Sequence, residues 1–152
     1  MTNVHTLSRE TVLPRPLDEV FSFYADASNL GTITPPWLEF RMLTPAPVPM
    51  APGVRIDYRI RLHGMPMRWK TEIREWNPPH RFVDVQLQGP YRVWEHTHEF
   101  VAVAAGTLVR DTVRYALPLG ALGELVRRAF VARDIDRIFD YRERVLARRF
   151  GR

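Results

Sequence analysis

The middle of this chain alternates apolar and polar residues with a period of two, and this pattern constrains the fold more than any other feature. The alternation runs through five segments, separated by turns rich in glycine and proline: residues 54–62, 67–73, 80–88, 94–100 and 109–117. A strand that alternates in this way has one face against a core and the other in water, as in antiparallel sheets. The sequence therefore predicts a curved antiparallel sheet whose inner face must be covered by another element.

The segment after Pro118 is long enough to be that element. All 13 prolines lie at or before Pro118, and the apolar residues that follow recur mostly three, four or seven positions apart. This spacing predicts one long amphipathic helix. We expect the sheet to be covered by its apolar positions, which are Leu122, Leu125, Val126, Ala129, Phe130, Ile135, Ile138, Phe139, Val145, Leu146 and Phe150.

The start of the chain is less regular. His5 to Leu13 predicts a strand, residues 16–24 and 26–30 predict two short helices, and Leu38 to Leu43 predicts a second strand. The proline-rich stretch 45–52 has strands on both sides, so we interpret it as a loop within the domain.

The predicted fold class follows from this order of elements. It is α+β, with a curved antiparallel sheet of six to seven strands wrapped around one long C-terminal helix. Two short helices follow the first strand. We expect a single domain that spans residues 1–152.

The composition excludes several classes of protein. Cysteine is absent, which excludes disulfides, thiolate metal sites and cysteine nucleophiles. No run of apolar residues is long enough to cross a membrane. The N-terminus lacks the basic region and apolar stretch of a secretory signal, so a cytoplasmic location is the default expectation.

The basic charge of the chain is concentrated in its C-terminal segment. The net charge is +5, and residues 119–152 hold nine arginines against five acidic residues. We interpret these arginines as the solvated face of the long helix, and we expect no nucleic-acid partner. A contact between this helix and a membrane surface or an acidic partner stays open as an alternative.

Five local motifs connect the chain to a known superfamily. They are Asn29-Leu30 with Ile33-Thr34-Pro35-Pro36; Phe82-x-Asp84-x-Gln86-x-x-Gly89-Pro90; Trp94-x-His96-x-His98-x-Phe100; Asp111-x-Val113-x-Tyr115-x-Leu117-Pro118-x-Gly120; and Ile138-Phe139-x-Tyr141-Arg142. With these motifs the chain resembles the SRPBCC superfamily, whose helix-grip fold occurs in START lipid-transfer domains, plant pathogenesis-related allergens and polyketide cyclase/dehydrase-like proteins. It looks most like bacterial members described as ligand-binding SRPBCC proteins.

The resemblance spans nearly the whole chain and implies more about fold than about function. It implies a cavity between the sheet and the long helix that takes a hydrophobic or amphipathic small molecule. Some proteins of the superfamily are enzymes, and many have no known activity.

His96 and His98 are the residues best suited to carry chemistry. Residues two apart on a strand point to the same face, about 7 Å from each other. A hairpin at Ala105-Gly106 would place Tyr115 opposite His96 and set Asp111 diagonal to His98. Because an inward carboxylate must be hydrogen-bonded, we expect Asp111 to contact His98.

Three interpretations of the two histidines stay open. They form a polar patch that orients a ligand, or they act with Asp111 in general acid–base catalysis, or they bind a metal. His-x-His on a strand is common by chance and no other residue has ligand spacing. We therefore expect no metal and no cofactor.

The strand before the histidines has two permitted registers. If the strands pair so that the numbers of facing residues add up to 180, Asp84 lies opposite His96 and Gln86 lies opposite Trp94. A shift by one residue places valines there instead and turns Asp84 and Gln86 to solvent. Alternation alone favours the register with the valines inside, whereas the resemblance of Phe82-x-Asp84-x-Gln86 to the family motif keeps the other register open. The sequence does not decide between them.

Further residues are candidates for binding a ligand. They are Trp37, Tyr58, Trp69, Asp84, Gln86, Trp94, Tyr115, Phe130 and Arg142. For each aromatic residue the alternative is an ordinary core position. For Arg142 the alternative to binding a ligand is a position at the edge of the helix, with the charge in water.

These observations lead to one main functional hypothesis and two alternatives. The main hypothesis is the binding of a small hydrophobic or amphipathic ligand between the sheet and the long helix. The first alternative is an enzyme of the cyclase/dehydratase type that uses His and Asp as acid and base. The second is a surface or partner-binding module that uses the arginine-rich helix. A homodimer stays open, and no integral membrane contact is expected.

Overall fold

The structure, a computed structural model, describes residues 3–151. Seven antiparallel strands form one sheet in the order β1-β7-β6-β5-β4-β3-β2. The strands are β1 (His5–Leu13), β2 (Arg41–Met42), β3 (Arg55–Leu62), β4 (Met65–Asn77), β5 (Arg81–Gln88), β6 (Val93–Val103) and β7 (Gly106–Ala116). The order shows that strands adjacent in sequence from β2 to β7 are neighbours, whereas β1 pairs with β7 at the far edge.

The two short helices predicted after the first strand and the long C-terminal helix are present, and one further short helix was not predicted. Helix α1 (Leu17–Ala25) follows β1, and two short 3-10 helices (Ala27–Gly31 and Pro36–Leu38) come next. The long C-terminal helix consists of α2 (Gly120–Val126), a π-helical segment (Arg127–Val131) and α3 (Ala132–Phe150). The predicted helix-grip fold, with seven strands and one long helix, is confirmed.

The core lies between the inner face of the sheet, α1 and α3. Phe100 on β6 is buried, and its ring meets that of Phe21 on α1 edge-on at 5.2 Å between centroids. Leu146 and Phe150 extend this cluster from the last turns of α3. Ion pairs from Arg9 on β1 to acidic residues of α3 also connect the helix to the sheet edge.

Two predictions about individual elements are wrong. The second strand covers Arg41–Met42 only, and residues 38–40 and 43 of the predicted strand lie outside it. Five positions of the long helix that were expected to cover the sheet are exposed: Leu122, Leu125, Val126, Ala129 and Phe130, the last by 61%. The π-helical segment carries more residues per turn than an α-helix. It therefore rotates the apolar positions before it and within it, Phe130 included, away from the stripe that covers the sheet.

No helix among the described residues is both long enough and apolar enough to cross a membrane.

Candidate functional site

A cavity of about 170 Å³ lies between the sheet and α3. Most of its lining is apolar. Four aromatic side chains, here called the aromatic wall, pack against one another along its border: Tyr58, Trp69, Tyr91 and Trp94. Tyr58 and Trp69 stack at 5.8 Å with an angle of 12° between the ring planes, and Trp94 meets Trp69 edge-on. A flat apolar molecule suits such a surface.

A polar cluster forms another part of the lining, where β5, β6 and β7 lie side by side. His96 and His98 are both buried on β6, and their rings stack at 3.7 Å between centroids. Nε2 of His98 donates to Oδ2 of Asp84 at 2.6 Å, and Nε2 of His96 donates to Oδ1 of Asp111 at 2.8 Å. The assignment of donors follows from chemistry, because an ionised carboxylate only accepts.

The register of β5 against β6 decides the orientation of Asp84. Asp84 lies opposite His96, which is the first of the two registers permitted by the sequence. Alternation alone favoured the other register, with Val83 and Val85 inside, and it fails here because both faces of β5 are buried: Phe82 on one face and the two valines on the other. Asp84 lines the cavity as a result.

The register of β6 against β7 differs from the expected one by two residues. Trp94, not His96, lies opposite Tyr115, and His98 lies opposite Asp111. The reason is that the tight turn is formed by residues 104–105, and Gly106 already belongs to β7. A shift by two residues keeps Asp111 on the histidine face. Its hydrogen bond goes to His96, while Nδ1 of His98 lies 3.6 Å from Oδ1 of Asp111.

Burial and hydrogen bonds determine the charges in the polar cluster. Burial and the adjacent His96 ring lower the pKa of His98 to about 4, against the opposing effect of its hydrogen bond to Asp84. Burial raises the pKa of Asp84 and of Asp111, but hydrogen bonds from the histidines and the charge of Arg142 more than compensate and lower it below its ordinary value. At neutral pH the cluster therefore contains two carboxylates and a neutral His98.

Three buried polar atoms of the cavity lining have no hydrogen-bond partner among residues 3–151. They are Oη of Tyr24, Nε of Arg142 and Nδ1 of His98. Tyr24 is only 8% exposed, and burial raises the pKa of its hydroxyl, which keeps the proton on the oxygen. Two of the three atoms, on Tyr24 and Arg142, are donors. The guanidinium of Arg142 lies 5.0 Å above the ring of Phe139. A buried donor without an acceptor costs about 1–3 kcal/mol, so these two atoms favour a bound molecule that carries an acceptor.

One set of side chains has the composition of a metal site. Donor atoms of Asp84, His96 and His98 all lie within 4.8 Å of one another. Asp111 is not a member of this set and lies behind it, hydrogen-bonded to His96.

Comparison with known proteins assigns the family. The model of the family described as "Polyketide cyclase / dehydrase and lipid transport" matches residues 13–140. The chain belongs to this family. The match includes the aromatic wall and the whole polar cluster, whereas Arg142 lies two residues beyond its end. No curated protein matches the chain by sequence.

Solved structures agree on the fold of this family member. The protein TTHA0849 from Thermus thermophilus is 21% identical, with 96% of this chain and 97% of that chain covered and a TM-score of 0.73. The di-domain ARO/CYC StfQ from the steffimycin biosynthetic pathway is 16% identical, with 97% and 51% covered and a TM-score of 0.73. Ara h 8.0201 is 16% identical, with 95% of this chain and 98% of that chain covered and a TM-score of 0.63. At these identities the likeness concerns the fold alone.

Four residues expected at the ligand site of this family member lie elsewhere. Trp37 is 47% exposed and packs on Tyr141 of α3. Phe130 is exposed on the π-helical segment. Tyr115 is buried against Phe139 and Ile135 beside the cavity, and is not among its lining residues. Gln86 holds the turn that follows β5, with its amide bonded to the backbone N–H and C=O of residue 91.

The remaining expected residues meet at the cavity. Tyr58, Trp69, Asp84, Trp94, His96, His98 and Arg142 all line it, and Asp111 supports His96 from behind. Sequence reasoning missed Tyr24 and Tyr91. Tyr24 belongs to the apolar face of α1 and gives no polar signal. Tyr91 follows Gly89-Pro90 of a shared motif, which was the available indication.

Proposed function

We propose that the protein binds one small amphipathic molecule in the cavity, with an apolar ring against the aromatic wall and an uncharged oxygen acceptor at Tyr24 and Arg142. The observation that carries the proposal is the pair of buried donors, Oη of Tyr24 and Nε of Arg142, which have no acceptor among the described residues and line a mostly apolar cavity. A ligand oxygen would accept from both donors and offset their desolvation.

The charges near the donors favour a neutral acceptor. Asp84 and Asp111 are both close enough to Arg142 for its charge to lower their pKa. Because these two carboxylates already outnumber the guanidinium, a ligand carboxylate would add a third negative charge in a buried site. A carbonyl or hydroxyl oxygen meets the same donors without that cost.

The volume limits the ligand to about one ring. A cavity of about 150 Å³ holds benzene, and the cavity here is about 170 Å³. Acetophenone, ethylbenzene and benzoate are therefore suitable probes, because they have similar size and differ in the oxygen and the charge. We expect acetophenone to bind about 10-fold more tightly than either of the other two. Tryptophan fluorescence would measure this, because Trp69 and Trp94 line the cavity.

Two variants test the donors directly. Tyr24→Phe and Arg142→Met should each weaken acetophenone binding by about 10-fold and leave ethylbenzene binding nearly unchanged, since each removes one donor and keeps most of the apolar volume. Arg149→Met is the control. Arg149 lies on α3 like Arg142, but it packs over the ring of Phe23 on α1 and does not line the cavity. Equal affinities for all three probes, together with repeated failure to detect a small molecule by native mass spectrometry of freshly purified protein, would contradict the proposal.

A second candidate function is acid–base catalysis of the cyclase/dehydratase type. It is favoured by the two His–Asp hydrogen bonds, of 2.6 Å and 2.8 Å, at the cavity lining. In a dehydration, one imidazole would remove the proton next to a carbonyl and the other would protonate the departing hydroxyl.

A model β-hydroxy ketone, 4-hydroxy-4-phenylbutan-2-one, tests this candidate. We expect His96→Gln and His98→Gln each to slow its dehydration by about 100-fold or more, measured by the absorbance of the conjugated product, while acetophenone still binds. His63→Gln, at an exposed histidine, is the control. A wild-type rate equal to that in buffer would exclude dehydration of this substrate, and would leave the binding proposal intact.

A further inference from the structure

We propose that Asp84, His96 and His98 bind a divalent transition-metal ion at the polar cluster of the cavity. The three side chains come from neighbouring strands, and their donor atoms lie within 4.8 Å of one another. Two imidazoles and one carboxylate suit zinc, cobalt, nickel, copper or ferrous iron, whereas magnesium and calcium prefer oxygen ligands alone. This inference goes beyond the binding of the amphipathic molecule and does not depend on it.

Asp111 supplies the support that metal-binding histidines usually have. Such histidines donate their other ring N–H to a carboxylate or carbonyl, which holds the ring in place. Oδ1 of Asp111 lies 2.8 Å from Nε2 of His96 and 3.6 Å from Nδ1 of His98. One carboxylate is therefore placed to orient both rings, and Nδ1 of His96 remains as the nitrogen available to a metal.

The unpartnered Nδ1 of His98 agrees with this arrangement. In the structure Nε2 of His98 donates to Asp84, so Nδ1 is a buried acceptor that faces another acceptor, Oδ1 of Asp111. If Nε2 binds a metal together with Asp84, the ring proton moves to Nδ1. Nδ1 would then be a donor that faces Oδ1 of Asp111, and a closer approach than the present 3.6 Å would give the buried atom a hydrogen-bond partner.

The surroundings of the three ligands also favour a cation. The two carboxylates Asp84 and Asp111 outnumber the one guanidinium, Arg142, that acts on them. The ring of His98 is stacked between those of Phe82 and His96, and such stacking limits its movement. All three ligands line the cavity, so the remaining coordination positions of the ion would face a bound molecule.

The test is titration of the purified, chelator-treated protein with Co²⁺ alone, and separately with Zn²⁺ and Mg²⁺ alone. We expect one Co²⁺ or Zn²⁺ ion per chain by calorimetry, a visible Co²⁺ spectrum, and no binding of Mg²⁺. Asp111→Asn should weaken Co²⁺ binding by about 10- to 100-fold, as outer partners of metal ligands do. Asp84→Asn and His98→Gln, which remove ligands, should weaken it further.

His63→Gln is the matched control. His63 and Asp134 form an exposed His–carboxylate pair of 2.6 Å, and neither belongs to a metal-binding set among residues 3–151. This variant should bind Co²⁺ like the wild type. A wild type that binds no Co²⁺ above the level of exposed histidines, or folded Asp84→Asn and His98→Gln variants that bind it normally, would overturn the proposal.

A second measurement needs no variant at the site. Imidazole NMR signals of the wild type during Zn²⁺ addition should show shifts of two buried histidines at one equivalent, with the signals of His5, His63 and His80 unchanged. Shifts confined to these three other histidines would overturn the metal site. They would not affect the proposed binding of an amphipathic molecule, which the acetophenone measurements test.

Discussion

Replacement of Asp111 by alanine is expected to lower the free energy of unfolding by about 2–4 kcal/mol, because a buried donor loses its acceptor and a void is left. Asp111 is 7% exposed and accepts the hydrogen bond of Nε2 of His96. Without the carboxylate that N–H is buried with no acceptor, and a void remains beside the stacked imidazole rings. Urea denaturation of chelator-treated protein, followed by circular dichroism, measures the change.

Two further variants separate charge from hydrogen bonding. Asp111→Asn keeps an acceptor for His96, so we expect a smaller loss, of about 1–2 kcal/mol. Glu99→Ala removes an ion pair with Arg81 at the solvated face of β6 and should cost less than about 1 kcal/mol. A loss for Asp111→Ala as small as that for Glu99→Ala would show that the polar cluster contributes nothing to stability.

Gly106→Ala is expected to cost about 3 kcal/mol or more, because two unfavourable effects coincide at this residue. Gly106 has a backbone angle φ of +140°, which residues other than glycine rarely adopt. A Cβ atom there would lie 2.1 Å from the carbonyl oxygen of Leu13 and 2.8 Å from Cα of Pro14. These are backbone atoms at the end of β1, so β1 and β7 would have to separate. Thermal and urea unfolding report the loss.

Gly64→Ala is the matched control for backbone conformation. Gly64 also has positive φ, +81°, but a Cβ atom there would meet nothing within 4 Å. It should therefore cost only about 1 kcal/mol, the conformational part of the effect. A Gly106→Ala variant no less stable than Gly64→Ala would mean that β1 moves freely relative to β7.

Much of the fold could be predicted because each part of it has a local cause. Period-two alternation requires a half-buried strand, and a proline-free segment with helical spacing requires an amphipathic helix. His5 to Leu13 forms a strand with the predicted bounds. The common face of His96 and His98 follows from their spacing alone, and both are buried.

The partners of those histidines could not be predicted, because alternation defines a face and leaves the register open. In β6 and β7 the register depends on which two residues form the turn. A glycine such as Gly106 is typical of a turn, but here Gly106 belongs to β7, and its small size is required because the backbone at the end of β1 lies against it. In β5 the hydrophobic pattern favoured the valines as the inner set, but both faces of the strand are buried and the register places Asp84 opposite His96.

The cavity itself is a product of packing between distant segments. Tyr24 comes from α1, Tyr91 from the turn after β5, and Arg142 from α3. The π-helical segment likewise turns Phe130 to solvent. The prediction assumed a regular α-helical spacing of apolar residues, which does not include the extra rotation of a π-helix.

By itself, then, the sequence determined most of the strands, the long C-terminal helix and the common face of His96 and His98, because these depend on spacing along a single segment. Only the tertiary structure decided that Asp84 meets His98, that Asp111 meets His96, and that Tyr24 and Arg142 are buried without acceptors among the described residues. These contacts depend on strand register and on how the helices pack against the sheet. The energies that select them come from residues far apart in the chain.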